Sequence, residues 1–239
     1  MYLEQMLLLI LSLFAPLLQI NTAPWPYQHV NKKDGLSNSA ITSIYMDKND
    51  YVWFGTWDGL NRYDGTSIKV YKPDSFQKGT ISNNIIRKIL EDKAGNLWVI
   101  THMGINKYDR DKDSFKNYLT NFDGLPFLEY NTRANLGPDS TLWINTVGRG
   151  VSRYSNVSDE FVNVQFDGVE EDWLKNVAGM GSSEQIIYML GYDGKLVSAI
   201  NNRTLYTKQL IETGKLQHYE FFYIKEKYFL ALSTESGKV

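Results

Sequence analysis

Residues suited to ligand contact recur at one position of a repeating pattern in this chain. They follow a Trp or Tyr that returns every 45 residues, and they are Trp57, Asp58, His102, Arg149, Tyr192 and Asp193. Trp and Tyr offer flat apolar rings on which a sugar can stack, while Asp, Arg and His hydrogen-bond hydroxyl or acidic groups. Because neighbouring positions repeat while these vary, they are candidates for a recognition surface; a plain solvated loop is the alternative.

The segments that lead into each repeat carry a second set of polar candidates. They are Asn38, Asn83, Asn84, Tyr130 and Asn131, of which Tyr130 is the aromatic ligand candidate. Asn38 and Asn83 occupy equivalent positions of two repeats, which favours a structural role in a turn over ligand contact.

Catalytic and metal chemistry find little support in the sequence. There is no cysteine, and His29, His102 and His218 are the only histidines. The segment 47–50 is acidic but lacks the alternating oxygen ligands of a calcium loop. Asp58 and Asp193 are the only in-phase pair of carboxylates that we can offer for catalysis, and turn chemistry explains both. We therefore expect no catalytic residue, no metal and no cofactor.

Composition excludes several other classes of protein. The chain has 239 residues, a net charge of −2, 43% hydrophobic and 22% charged residues. This balance is typical of neither a disordered tail nor a membrane bundle, and it gives no electrostatic case for binding nucleic acid. The 14% aromatic content favours β-sheet.

The first 23 residues differ from the rest. An apolar run from Met6 to Leu18 is short for a bilayer span and precedes small residues at Thr22 and Ala23. We interpret residues 1–23 as a cleaved export signal, with an uncleaved anchor and a buried helix as alternatives. Glu4, where a basic residue is usual, departs from the signal pattern.

An internal repeat predicts the elements that position the candidate residues. Its most regular members are aromatic residues that we expect to form the structural core of the repeats: Trp53, Trp98, Trp143, Tyr188, Tyr63, Tyr108 and Tyr154. The three Trp residues have apolar neighbours on both sides, so packing between repeats is favoured over a sugar-stacking role. A period near 45 residues made of short strands is typical of propeller blades.

The second repeat illustrates the blade prediction. Strands are expected over 85–91, 97–101, 105–108 and 114–118, separated by turns rich in Asp and Gly. Such a sheet cannot bury both faces alone and needs neighbouring blades. The predicted fold is therefore an all-β propeller of four-stranded antiparallel blades, incomplete in this chain.

The repeat also divides the chain. The expected parts are an N-terminal strand at 24–34 that closes the last blade, blade 1 at 35–79, blade 2 at 80–124, blade 3 at 125–168, blade 4 at 169–212 and a partial blade 5 at 213–239. This is about 4.8 repeats, whereas closed propellers hold whole numbers of blades. We read the chain as an amino-terminal piece of a longer protein.

Two strings of residues resemble a known family. Gly35-Leu36-Ser37-Asn38 through Asp47, and Val52-Trp53-Phe54-Gly55-Thr56 through Asp64, are similar to the two-component regulator propeller repeat, and the second repeat has closely similar strings. The resemblance implies the periplasmic sensor part of a hybrid two-component histidine kinase and response regulator of Bacteroidetes, with seven-bladed propellers. It further implies an oligosaccharide ligand, downstream domains anchored in the inner membrane, and a homodimer in the full-length protein.

Three functions remain open at this point. The first is an extracytoplasmic sensor that recognises polysaccharide breakdown products and signals to a kinase outside this chain. A freestanding scaffold or protein-binding propeller is the second. A propeller enzyme that degrades polysaccharide is the third, and it would need paired carboxylates across a cleft.

Overall fold

The computed structural model describes residues 29–118, 132–183, 185–211, 216–224 and 227–234. The chain divides into two compact units, residues 1–30 and 31–239, and every element below belongs to the second. The export signal expected at 1–23 and the candidate Tyr130 lie outside the described residues. Among the helices of the described ranges, none is long and apolar enough to cross a membrane.

The structure is built of antiparallel strands, which confirms the all-β prediction. Four sheets each contain four strands that follow one another in the chain, and a two-stranded hairpin comes last. The strands are β1 (Ile41–Met46), β2 (Val52–Thr56), β3 (Gly59–Tyr63), β4 (Ile68–Tyr71), β5 (Ile86–Glu91), β6 (Leu97–Thr101), β7 (Gly104–Asp109), β8 (Ser114–Tyr118), β9 (Thr132–Leu136), β10 (Leu142–Thr146), β11 (Gly150–Ser155), β12 (Glu160–Asn163), β13 (Val177–Ser182), β14 (Ile187–Gly191), β15 (Lys195–Ile200), β16 (Arg203–Gln209), β17 (Leu216–Ile224) and β18 (Lys227–Thr234).

The sheets are the predicted blades, and the second shows how closely sequence and structure agree. β6 and β8 have the expected bounds, β7 extends by one residue at each end, and β5 begins one residue later. We call the four sheets blades 1 to 4. One short helix, α1 (Glu171–Leu174), lies in the segment leading into blade 4.

The hydrophobic core lies between the sheets, because each blade buries its faces against its neighbours. One buried cluster contains Trp53 of blade 1 with Ile89 and Tyr108 of blade 2. The next joins Trp98 of blade 2 to Tyr154 of blade 3. A third joins blades 3 and 4, and a fourth joins blade 4 to the β17–β18 hairpin.

The four residues at the repeated Trp position occupy the same place in each blade. Trp53, Trp98, Trp143 and Tyr188 are all second residues of the second strand. The first two indoles are fully buried and Trp143 is 5% exposed. The smaller Tyr188 is only partly buried.

The three repeated tyrosines of the third strands differ in burial. Tyr108 and Tyr154 are buried against the Trp of the preceding blade. Tyr63 departs from the expected core role, since it is only partly buried and its hydroxyl donates to Gly65 O at 2.7 Å. Its ring would need a preceding blade to pack against, and the described residues contain none before blade 1.

Blade 4 continues the stacking onto the last hairpin. A Cβ atom at Gly179 would lie 2.0 Å from the ring of Tyr219, so glycine is needed for this close approach. The Tyr219 hydroxyl donates to Ala178 O at 2.7 Å. The β17–β18 hairpin therefore packs where a fifth blade is expected.

The N-terminal strand expected at 24–34 lies partly outside the described residues. Within the described part, residues 32–34 form a 3-10 turn instead of a strand. Its cause is local: Asn31 Oδ1 accepts from Lys33 N at 2.8 Å, and Asp34 Oδ2 accepts from Asn31 N at 2.8 Å. Residues 29–31 are not part of a strand either, so a strand that closes the last blade stays a prediction for residues 24–28.

Candidate functional site

The candidate residues lie in the turns between the second and third strands of their blades. A repeated threonine at the end of the second strand fixes the two turns of blades 1 and 2. Thr56 Oγ1 donates to Gly59 O at 2.8 Å and accepts from Asp58 N at 3.0 Å. Thr101 makes the equivalent bonds at 3.0 and 3.2 Å. Backbone geometry therefore does not depend on the side chains at the turn tip, which leaves them free to vary.

Several of these side chains project into solvent. Trp57 is 57% exposed, Met103 59% and Tyr192 43%. His102 and Arg149 are partly buried. Large exposed aromatic side chains on a rigid turn are suited to contact a ligand, because little further ordering is needed when one binds.

The two candidate carboxylates are engaged by near neighbours. Asp58 forms an ion pair with Lys72 at 2.7 Å and accepts from Asn84 Nδ2 at 3.3 Å. Both hydrogen bonds lower the pKa of Asp58, and the bond from Lys72 has the larger effect. Asp193 accepts from Trp173 Nε1 and Lys195 N, both at 3.0 Å. Both carboxylates therefore have structural partners in or beside their own turns.

The loops leading into the blades are tied to the same turns. Gly59 N donates to Asn84 O at 2.7 Å, and Tyr192 N donates to Asn176 O at 3.1 Å. Asn38 and Asn83 each accept a hydrogen bond from the backbone two residues ahead, at 2.8 and 2.9 Å. The turns and these loops form a single rim at one end of the strands.

A shallow cleft of about 530 Å³ opens on this rim in the loop between blades 1 and 2. It is lined by residues 73–75 and 77–82 together with Met103, Phe115 and Asn117. Met103 neighbours the candidate His102. The described ranges contain no group of three or more His, Asp and Glu residues that could hold a metal ion.

The repeated Asp that precedes the Trp has a clear structural task. Asp47 Oδ2 accepts from Trp53 Nε1 at 2.9 Å, and Asp92 Oδ2 accepts from Trp98 Nε1 at 2.8 Å. Asp47 also pairs with Arg110 of the next blade at 2.6 Å. The six-residue spacing thus places a carboxylate at the buried indole N–H, which would otherwise lack a partner.

Sequence reasoning missed a second cross-blade device, the Tyr–Asp clamp. In the first clamp, Asp113 of blade 2 accepts from Tyr71 of blade 1 at 2.6 Å and from Tyr108 at 2.5 Å. Arg62 of blade 1 donates to Tyr108 Oη at 2.6 Å and lies 3.3 Å from Asp113. The signal in the sequence was an Asp five residues after Tyr108 and after Tyr154.

The second clamp repeats this arrangement one blade further on. Asp159 of blade 3 accepts from Tyr118 of blade 2 at 2.7 Å and bonds Tyr154 and Lys116. Lys107 of blade 2 donates to Tyr154 Oη at 2.7 Å and pairs with Asp159 at 2.5 Å. Two blade interfaces are therefore joined by the same set of ring, cation and carboxylate.

Electrostatics hold the clamp carboxylates ionised. Burial alone would raise the pKa of Asp113, but hydrogen bonds from Lys69, Tyr108 and Tyr71 outweigh it and lower the pKa to about 2. For Asp159, bonds from Lys107 and Lys116 outweigh burial in the same way and lower its pKa. Both carboxylates are charged over the physiological range.

Comparisons with known proteins agree with this architecture. The family model for the two-component regulator propeller matches residues 35–58 and 80–103. A histidine kinase, P4, of Formosa agariphila is 34% identical over 64 residues, which is 27% of this chain and 5% of the kinase.

Solved structures share the fold at low sequence identity. The extracellular domain assigned to a hybrid two-component system of B. thetaiotaomicron superimposes with a TM-score of 0.63 at 21% identity, covering 89% of this chain and 31% of that one. Virginiamycin B lyase from Staphylococcus aureus superimposes with a TM-score of 0.54 at 14% identity, covering 82% of this chain and 65% of the lyase. The chain spans about a third of the length of the first of these.

Blade order, inter-blade cores and fold similarity define a β-propeller. Within that class, the segments 35–58 and 80–103 match two-component regulator propeller repeats.

Proposed function

We propose that this chain is the ligand-sensing propeller of a hybrid two-component regulator. The observation that carries the proposal is the match of two repeats to the two-component regulator propeller, supported by a curated relative that is a histidine kinase. The fold similarity to the extracellular domain of such a system adds support for the architecture. In this proposal the chain binds and a kinase outside it performs the phosphoryl transfer.

The proposed ligands are breakdown products of complex polysaccharides. They would contact the rim formed by the second-to-third-strand turns, where Trp57 and Tyr192 are exposed and rigidly mounted. Exposed aromatic rings beside hydrogen-bonding groups suit the alternating apolar and hydroxylated faces of sugars. His102, Arg149 and the loop residue Tyr130 are the remaining proposed contacts.

The proposed location is the periplasm, with downstream domains anchored in the inner membrane and the full-length protein acting as a homodimer. Export would be directed by residues 1–23. Reading the gene downstream of residue 239 tests this organisation: a membrane helix and a kinase domain are expected, and a stop codon would favour a freestanding scaffold.

An enzymatic role is the weaker alternative. Virginiamycin B lyase shares the fold, but at 14% identity the likeness concerns the fold alone. The carboxylates Asp58 and Asp193, which would serve a glycosidase, are already bonded to neighbouring groups. We therefore propose a binding function for this face.

Calorimetry with defined oligosaccharide pools tests the proposal. We expect the full chain to bind at least one pool, and Trp57→Ala and Tyr192→Ala each to weaken that binding tenfold or more. Tyr206→Ala is the matched control, because Tyr206 is 47% exposed but lies on β16, away from the rim. Folded protein that binds no pool would refute a sugar ligand, and binding that both rim variants retain would refute this site.

A further inference from the structure

The interface between blades 3 and 4 lacks the Tyr–Asp clamp and contains a cleft instead. The cleft has a volume of about 430 Å³, in the range of small-molecule sites. Apolar side chains that line it are Trp143, Phe166, Ile187 and Ala199. Polar side chains that line it are Asp139, Arg153, Gln185, Asn201 and Asn202. It lies at the end of the strands opposite the rim of the proposed sugar site, so it is independent of the proposed function.

Strand register shows what has been lost. Ala199 pairs with the first residue of β14, as Tyr108 pairs with the first residue of β6. Alanine thus stands where the first two interfaces have a clamp tyrosine. In those interfaces the tyrosine ring meets the Trp of the preceding blade edge-on, at 4.9 and 4.6 Å between centroids.

The other clamp positions keep groups that bind a hydroxyl. Arg153 pairs with Trp143 in the strand register and corresponds to Arg62 and Lys107. Asn202 stands two residues before the partner of Ala199, as Asp113 stands two before the partner of Tyr108, and both have positive φ. A cation and an amide oxygen therefore border a space that lacks the ring of the third-strand tyrosine. Val164 stands where the first two interfaces have their other clamp tyrosine.

The indole that lines this cleft has a different hydrogen-bond partner from those of Trp53 and Trp98. The residue six before Trp143 is Gly137, where blades 1 and 2 have Asp47 and Asp92. A Cβ at Gly137 would lie 2.1 Å from Trp143 Nε1, so the indole fills the volume of the absent carboxylate. Its N–H donates instead to Asp139 at 3.2 Å.

We propose that this cleft binds a small molecule that carries a para-substituted phenol ring. The ring would take the place of the missing tyrosine ring, edge-on to Trp143 and over Ala199. Its hydroxyl would accept from Arg153 and donate to Asn202, as Tyr108 accepts from Arg62 and donates to Asp113. An aromatic ring is favoured over a pyranose because both occupied interfaces use edge-to-face ring contact, whereas sugars stack flat on aromatic faces.

Calorimetry with p-cresol, which is the tyrosine side chain itself, tests the proposal. The native chain should bind p-cresol at least tenfold more tightly than toluene, which lacks the hydroxyl, and than 4-methylcyclohexanol, which lacks the aromatic ring. Equal affinity for p-cresol and toluene would show that the cleft does not recognise the hydroxyl and would refute the proposal. Equal affinity for p-cresol and 4-methylcyclohexanol would refute the preference for an aromatic ring.

Two variants locate the binding. Ala199→Tyr should fill the cleft and abolish p-cresol binding. Arg153→Gln, at a side chain 45% exposed and so tolerant of change, should weaken p-cresol binding about threefold without affecting toluene. Lys208→Gln on the exposed face of β16 is the control and should change nothing. Binding of p-cresol that Arg153→Gln does not alter would overturn the proposal, even if Ala199→Tyr fails to fold.

Discussion

The first two blade interfaces and the third are built on one plan but differ in how they are closed. Between blades 1 and 2, and between blades 2 and 3, a buried indole, two tyrosines, a cation and an aspartate fill the space. Between blades 3 and 4, Ala199 and Val164 take the places of the two tyrosines, Asn202 takes the place of the aspartate, and a cleft remains. The fold tolerates this loss because the cluster around Met189 and Val197 still joins the two sheets.

The difference teaches where a repeat can change without loss of the blade. The order and antiparallel pairing of the four strands are the same in all four blades, whereas the side chains at the strand ends differ between the open and the closed interfaces. This propeller therefore has two kinds of variable position. Turn tips face solvent, whereas clamp positions determine whether the interface between two blades is filled by side chains or contains a cleft.

The largest expected effect contrasts two indoles. Trp98→Ala should destabilise the chain by about 3–5 kcal/mol, since the ring is fully buried between closed blades. Trp143→Ala should cost less, about 2 kcal/mol, because its ring lines the cleft and so has fewer packed neighbours to lose. Denaturant unfolding followed by circular dichroism measures both. Equal losses for the two variants would show that the third interface is as tightly packed as the others.

A smaller effect is expected at the clamp carboxylate. Asp113→Asn leaves Lys69 and Arg62 without their anion and should cost about 2 kcal/mol. Asn202→Asp, at the corresponding position of the open interface, should change stability by less than about 0.5 kcal/mol. The same unfolding measurement compares the pair. If the Asp113→Asn variant is as stable as the native chain, the clamp does not stabilise the fold.

Much of this architecture could be predicted from the sequence, because it depends on the 45-residue spacing of the repeat. The blades, the strands of the second repeat and the burial of Trp53 and Trp98 follow from residues that recur in phase. The partly buried Tyr63 was harder to foresee, since its environment depends on a neighbouring sheet and not on its own repeat.

The cleft and the clamps could not be read from single positions. Their residues come from two blades and from the ends of four strands, so only the strand register aligns Ala199 with Tyr108. The Asp five residues after Tyr108 and after Tyr154 was visible in the sequence, but several of its partners lie across the interface. Candidate residues on the turn tips are positioned as expected, while their ligand stays a prediction.

Acid should weaken the closed interfaces selectively. The folded pKa of Asp113 is about 2, below the ordinary value near 4, so its contribution to stability is complete above about pH 4 and is lost as the pH falls toward 2. We expect a loss of about 1–2 kcal/mol from this group, after allowance for its partial exposure. Asp113→Asn should show a correspondingly flatter stability profile over this range; a profile parallel to that of the native chain would contradict the assignment.

The smallest effect concerns the cation of the open interface. Arg153 lies 3.7 Å from Asp139, and both side chains are more than a third exposed. Arg153→Gln should therefore change stability by less than about 0.5 kcal/mol. Arg62→Gln, which breaks the first clamp, should cost about 1 kcal/mol or more. Thermal melts of the two variants measured side by side test this ranking. A larger loss of stability in Arg153→Gln than in Arg62→Gln would contradict it.

The most direct test of the relation between open and closed interfaces is the number of p-cresol sites. Tyr154→Ala removes the clamp ring between blades 2 and 3 and should create a second cleft like the natural one. Calorimetry should then give one site per native chain and two per Tyr154→Ala chain, with folding checked by circular dichroism at the assay temperature. A folded variant that still binds one p-cresol, or a native chain that binds none, would contradict the view that the third interface is a clamp without its ring.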